Sequence, residues 1–295
     1  MKNIFLGVGV AIVTPFRRYG SIDFNSLTRL IEHLLKNRVD YIVALGTTGE
    51  AATLSITEKN AIINHIVTIV DKRVPIVVGV GGNCTNNVVN DLKKLDLENV
   101  DGILSVAPYY NKPQPKGLYQ HYKTVACATS LPVILYNVPG RTGVNIPAEI
   151  ILKLAHDFDN IVAVKEASGN MSQIMKIINE KPEGFDVISG DDQLTMLLIA
   201  AGAAGVISVT ANAFPKEFKA LVDYSLNEEF VKARKIQYSL LNIMDVLFED
   251  GNPAGIKSVL EHLGFIENNL RLPLVKVNKA VNNSIKALLA DYQSV

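Results

Sequence analysis

Lys165 ends the apolar run Ile161-Val162-Ala163-Val164. Burying an ammonium there is costly. Burial disfavours the charged form and so favours the neutral amine that attacks carbonyl carbon. The alternative is a strand-end lysine whose head reaches water. Thr47 and Thr48 stand between Gly46 and Gly49. Two hydroxyls and consecutive backbone N–H groups could grip one carboxylate there; equally, the segment reads as a turn in which Thr or Glu caps the next helix. Tyr136 ends the apolar segment that precedes that of Lys165. Neighbouring strands lie about 5 Å apart, so this phenol could exchange protons with a carbinolamine on the lysine. Its other reading is an amphipathic rim tyrosine. Arg141 follows Pro139-Gly140, where a guanidinium suits bidentate binding of a carboxylate or a surface salt bridge. Taken together, an amine, a phenol, hydroxyls and a carboxylate grip fit imine chemistry on a small keto acid.

Other conspicuous groups read more plainly. Asp191-Asp192 resembles a metal pair, but after Ser189-Gly190 it reads as the acidic start of a helix. Glu249-Asp250-Gly251-Asn252-Pro253 lacks the alternating ligands of a calcium loop and reads as a turn before a helix. Tyr109-Tyr110 precedes the stiff Asn111-Lys112-Pro113-Gln114-Pro115 segment and reads as an interface pair. The histidines, His33, His65, His121, His156 and His262, form no HxH or HxxxH pair, and no metal is expected. Cys84 and Cys127 lack paired spacing, which fits a reduced, cytoplasmic protein.

These groups sit at the ends of short β-branched runs, at 7–13, 41–45, 74–80, 102–106, 132–136, 161–164, 185–188 and 205–209. Near-continuous apolar runs are what strands buried on both faces look like. Helical periodicity fills most intervals, at 25–36, 56–70, 117–129 and 191–201. Eight β-then-α units predict an α/β fold, a closed (β/α)8 TIM barrel whose chemistry gathers at the C-terminal strand ends. A doubly wound open sheet is the rival, yet Gly79-Val80-Gly81-Gly82-Asn83-Cys84 lacks the third glycine of a dinucleotide fingerprint. Further helices follow at 216–224, 228–247, 252–262 and 277–292. We therefore divide the chain into a barrel carrying the active site, 1–224, and a C-terminal helical extension, 225–295.

Composition narrows the function. Among 295 residues, 48% are hydrophobic and 20% charged, enough for a large core. Lys plus Arg equals Asp plus Glu, 29 each, which gives no electrostatic case for nucleic acid or an anionic membrane. The start, Met1-Lys2 before an apolar stretch, imitates a signal peptide, but Gly7 and Gly9 interrupt it and no cleavage site follows. The apolar stretch 194–209 is short for a span and reads as helix, glycine stop and strand. The expectation is a soluble protein.

The motifs Gly46-Thr47-Thr48-Gly49-Glu50, Tyr136-Asn137-Val138-Pro139-Gly140-Arg141-Thr142-Gly143 and Val164-Lys165-Glu166-Ala167-Ser168-Gly169 resemble the pyruvate-dependent Schiff-base aldolases and lyases. Within that superfamily the chain is most similar to the dihydrodipicolinate synthase family, over nearly its whole length. The resemblance implies a class I lyase that condenses pyruvate with L-aspartate 4-semialdehyde to 4-hydroxy-tetrahydrodipicolinate, without a cofactor, in diaminopimelate and lysine biosynthesis. It implies that Lys165 forms the imine and that Thr48 with adjoining backbone holds the pyruvate carboxylate. Tyr136, Thr47 and Tyr110 match a proton relay, Tyr110 entering from a neighbouring subunit. Arg141 matches a residue that binds the aldehyde substrate's carboxylate, and Gly190 and Ile207 match residues lining the imine pocket. A homotetramer built as a dimer of dimers is implied. Thr47-Thr48, Arg141 and Tyr109-Tyr110 favour the synthase over an aldolase acting on N-acetylneuraminate or another sugar acid. A non-catalytic barrel is the rival from another class.

One departure has a consequence. Relatives inhibited by lysine bind it at the tight subunit interface through histidines and a glutamate. The matching positions here are Ile56, Lys59 and Asn87, with Ala51 in place of a serine, while Asn83 and Tyr109 are kept. Loss of the carboxylate at Asn87 removes a partner for the effector's ammonium, and Lys59 adds like charge. Feedback inhibition by lysine is expected to be weak or absent; initial rates titrated with lysine check this, and a low-micromolar inhibition constant would contradict it.

Overall fold

A computed structural model describes residues 4–293; Met1 and Lys2 lie outside the described residues. From the N-terminus come β1 (Gly7–Ala11), α1 (Phe24–Lys36), β2 (Tyr41–Ala44), α2 (Ile56–Val70), β3 (Ile76–Gly79) and α3 (Thr85–Lys94). Then follow β4 (Gly102–Val106), α4 (Pro115–Cys127), β5 (Val133–Asn137), the single turn α5 (Pro139–Thr142) and α6 (Ala148–Asp157). The barrel ends with β6 (Ile161–Glu166), α7 (Met171–Glu180), β7 (Asp186–Ser189), α8 (Thr195–Ala200), β8 (Gly205–Ser208) and α9 (Pro215–Leu226). Helices α10 (Phe230–Glu249), α11 (Ala254–His262) and α12 (Lys279–Gln293) form the extension. The eight strands close in sequence order, all parallel, with β8 paired back onto β1. No helix among the described residues is long and apolar enough to cross a membrane.

Alternation along each strand sorts the core into two layers. Val8, Val10, Ile42, Ile103, Val133, Leu135, Val164, Val187 and Val206 face the helices and share their clusters. Their strand neighbours Tyr41, Val43, Val77, Leu104, Ile134, Tyr136, Ala163, Ile188 and Ile207 form a separate cluster that fills the bore. At its closed end the Tyr41 ring lies where a side chain on Gly9 would be: a methyl there would come within 2.2 Å of the ring. Phe5 packs edge-on against Tyr41 at 5.7 Å. The bore is a packed core, open to chemistry only at its other end.

Side chains from the loops stitch the last strands together. The Asp192 carboxylate accepts from Val209 N at 3.1 Å, Thr210 N at 2.7 Å and Thr210 Oγ1 at 2.6 Å. Asn212 spans the seam, accepting from Val13 N at 3.2 Å and donating to the Ala11 carbonyl at 2.8 Å. Asp191-Asp192 therefore does not open the seventh-unit helix: α8 starts at Thr195, after a turn, and Asp192 is a strut between the loops that follow β7 and β8. Two backbone N–H groups and one hydroxyl from the segment after β8 outcompete a helix start because together they satisfy a buried carboxylate three times over.

The extension is tied to the barrel by charge as well as apolar contact. Lys257 and Glu50 form an ion pair with both side chains fully buried. Glu50 also accepts from Arg271 N at 3.1 Å, and Lys257 Nζ donates to the Asn269 carbonyl at 2.9 Å. Lys257 Nζ lies 4.3 Å, and the Arg271 guanidinium 4.5 Å, from the centre of the Phe16 ring. Burial pushes the Lys257 ammonium down to about 8, against the pull of the Glu50 carboxylate. Removing one member strands a charge in the core. Lys257→Met should destabilise by about 3–5 kcal/mol, read from denaturant midpoints at fixed protein concentration. Adding Glu50→Gln should recover part of that loss; no recovery would mean that the pair is not what the core depends on.

Candidate active site

Register brings two of the candidate residues together. Tyr136 on β5 is paired directly with Lys165 on β6, and Lys165 with Ile188 on β7. Both side chains lie on the bore face, near its C-terminal end. Lys165 is only 5% exposed, and its Nζ stands over the Tyr136 ring, 4.3 Å from the centroid. The amine therefore meets the π face of the ring. Gly190, just past β7, supplies the third wall: a methyl there would lie 2.9 Å from Lys165 Cε and 2.9 Å from Ala167 Cβ. Ile207 on β8 belongs to the same bore cluster as Tyr136 and Ile188.

Behind Lys165, on the opposite face of β6, Glu166 is fully buried. Its carboxylate accepts from Asn137 Nδ2 at 2.6 Å, Gln173 Nε2 at 3.2 Å, Ser168 Oγ at 2.6 Å and Ser168 N at 3.2 Å. Burial pushes the Glu166 carboxyl up, while the bonds from Ser168 and Asn137 work against that rise. Asn137 in turn accepts from Ile146 N at 2.9 Å. The network joins the end of β5 to the end of β6, so the strand ends carrying Tyr136 and Lys165 cannot slide apart.

The loop after β2 carries the hydroxyls. Thr47 is exposed, whereas Thr48 is buried beneath it. Thr14 Oγ1 donates to the Gly49 carbonyl at 2.7 Å, and Asn252 Nδ2 of the extension donates to Thr48 Oγ1 at 3.0 Å. Glu50, at φ 53°, closes the loop and turns its carboxylate inward to Lys257.

Two expected groups sit apart from the bore. Tyr110, on the loop after β4, is 88% exposed, and Arg141 is exposed on the short helix α5. Asn83, kept in the lysine comparison, accepts from Asn111 Nδ2 at 2.8 Å through its carbonyl, which docks the tyrosine loop. Asn137, Glu166, Asn252 and Lys257 were not singled out by sequence as parts of the site. The signal available was a polar residue within each of three apolar strand or helix ends; for Asn252 only its place before Pro253 marked it.

The match to known proteins is extensive. A family model described as the Dihydrodipicolinate synthetase family covers residues 4–292. The 4-hydroxy-tetrahydrodipicolinate synthase of Parabacteroides distasonis is 53% identical over 283 residues, 96% of this chain and 95% of that protein. The chain belongs to this family. The crystal structure of dihydrodipicolinate synthase from Aquifex aeolicus superposes with a TM-score of 0.95 at 41% identity, covering 98% of each chain. A monomeric dihydrodipicolinate synthase variant superposes with a TM-score of 0.96 at 38% identity, over 99% of this chain and 98% of that one. Family membership makes the chain a lyase that condenses pyruvate with aspartate semialdehyde in lysine and diaminopimelate biosynthesis.

The Gly190 wall makes a sharp expectation. Gly190→Ala would displace the stem of Lys165, and a misplacement of about 1 Å at a reacting atom costs on the order of 10²-fold. The rate of imine formation with pyruvate should fall by roughly 10- to 100-fold, measured by timed borohydride quenching, with the folded circular dichroism spectrum unchanged. An unaffected rate would mean that Gly190 does not shape the lysine's position.

Proposed function

We propose that Lys165 is the imine-forming nucleophile of the family reaction. The observation that carries this reading is a buried amine at the mouth of the bore, over Tyr136 and against Gly190. Lys165 Nζ attacks C2 of pyruvate, and the carbinolamine loses water to give an iminium. The water leaves with a proton delivered by Tyr136, which passes protons through Thr47 and Tyr110. Loss of a proton from the methyl carbon gives an enamine, which attacks the aldehyde carbon of aspartate semialdehyde; the aldehyde oxygen takes a proton and becomes the hydroxyl. The substrate's own amine then attacks C2, releases Lys165 and closes the ring. One water leaves overall.

Thr48 and the neighbouring backbone hold the pyruvate carboxylate. Arg141 binds the carboxylate of the second substrate and steadies Tyr136, and Gly190 and Ile207 line the imine pocket. The 88% exposure of Tyr110 supports a role across a subunit boundary, in a homotetramer assembled from two tight dimers. Such a large exposed aromatic on a stiff loop is the sort of group that an interface buries. The division of the chain into 1–224 and 225–295 is supported by α9, which lies against β1 and β8 and ends at Leu226, and by α10, α11 and α12 packing on one another, with α10 resting on α9 as well. The two cysteines, Cys84 and Cys127, are both free thiols, which supports work in a reducing cytoplasm.

Intact mass after incubation with pyruvate and borohydride tests the mechanism. A reduced pyruvyl adduct should form, map to Lys165 and be absent in Lys165→Ala. No adduct on folded wild-type protein would overturn the mechanism.

A further inference from the structure

We infer that Asn252 is a positioning residue: it orients the Thr48 hydroxyl toward the pyruvate carboxylate, so the C-terminal extension completes the carboxylate grip. The inference rests on the assignment of Thr48 made above. Asn252 and Thr48 are separated by 204 residues in the chain, yet both are buried and joined at 3.0 Å. A threonine hydroxyl has one proton to donate and lone pairs to accept with. The Asn252 amide donates to that oxygen, so the Thr48 proton is directed elsewhere. A carboxylate accepts hydrogen bonds and donates none, so a hydroxyl free to donate is what the pyruvate carboxylate needs.

The amide is itself held in place. Asn252 lies immediately before Pro253 and α11. Gly255 packs on the Leu247 carbonyl so closely that a methyl would lie 2.2 Å from it. Two residues beyond Thr48, Glu50 receives Lys257 from α11 and the backbone of Arg271. Extension and loop are thus joined at alternate residues, 48 and 50, which leaves the loop little freedom to turn the hydroxyl away. Asn252 Oδ1 is buried with no hydrogen-bond partner among the described residues. In this orientation it is Asn252 Nδ2, the donor side of the amide, that meets Thr48 Oγ1. Reversing it would let Oδ1 take the Thr48 proton and would withdraw that proton from the substrate.

Steady-state kinetics of the full chain test this with two variants. Asn252→Ala removes one hydrogen bond and should raise the pyruvate KM about 3- to 10-fold. Asn252→Asp has nearly the same shape but only accepts, so it captures the Thr48 proton and should raise that KM further, on the order of 10- to 100-fold. In both, kcat and the KM for aspartate semialdehyde should stay within about twofold of wild type. On a Thr48→Val background, Asn252→Ala should change the pyruvate KM no further. Equal effects of the Ala and Asp variants, or a full effect of Asn252→Ala on that background, would overturn the inference. So would a fall in kcat together with a rise in both KM values, the mark of a structural role. If Thr48→Val leaves the pyruvate KM unchanged, the Thr48 assignment fails. If Thr48→Val raises it and the Asn252 variants do not, only the role of Asn252 fails. Where the alanine variant does not fold, the near-isosteric Asn252→Asp on both backgrounds still decides the question.

Discussion

Closure of eight parallel strands is the constraint from which the rest follows. A closed parallel sheet has no edges, so every strand must present alternate residues to the bore and to the helices. A cluster of buried side chains, among them Phe5, Tyr41, Val77, Leu104 and Ile134, fills the bore below its mouth, so chemistry is left to the C-terminal strand ends. Register then carries Tyr136 and Lys165 to the same level on neighbouring strands. An amine in that place is surrounded by an aromatic face, a glycine and apolar side chains, not by bulk water. Its burial and its orientation come from the same packing.

Such a site needs a rigid backing, and two buried carboxylates provide it in different ways. Glu166 has neutral donors on both oxygens. It joins the β5 and β6 ends with hydrogen bonds to charge, each worth more than a neutral one. Glu50 has a buried lysine for a partner. Two charges taken out of water stabilise little in net terms, but losing either one is severe. The pair therefore acts more as a specifier of geometry than as a source of stability: it admits one seating of the extension against the Gly46–Glu50 loop. An extension that looks like an appendage in the chain order becomes part of the wall behind the site.

The same physics explains where expectation and structure part. Asp192 stands where a helix start was expected, but three donors on the segment after β8 claim its carboxylate. Local capping offers fewer bonds to a group this buried. Asn212, just past β8, closes the seam between β8 and β1. These struts are polar side chains with long-range partners, so no periodicity within their own segments announces them. Tyr110 and Arg141 present the opposite case. Their loops were legible from prolines and glycines, while both side chains are exposed and stand apart from the bore.

Sequence alone determined the eight strands, their order and the extension, because apolar runs buried on both faces and 3.6-residue periods are local properties. It also marked the candidate groups at the strand ends, since in a parallel barrel chain position and spatial position coincide at the mouth. Ile56–Val70 is a helix within the same bounds in both readings, with a capping box from Ser55 and Glu58. Only the tertiary structure decided which face of Tyr136 meets Lys165, that Gly190 touches the lysine stem, and that Glu50, Asn252 and Lys257 meet across two hundred residues. Those facts depend on long-range packing and on which buried polar groups find each other. A hydrogen-bond partner chosen from the far end of the chain leaves no pattern in the residues on either side.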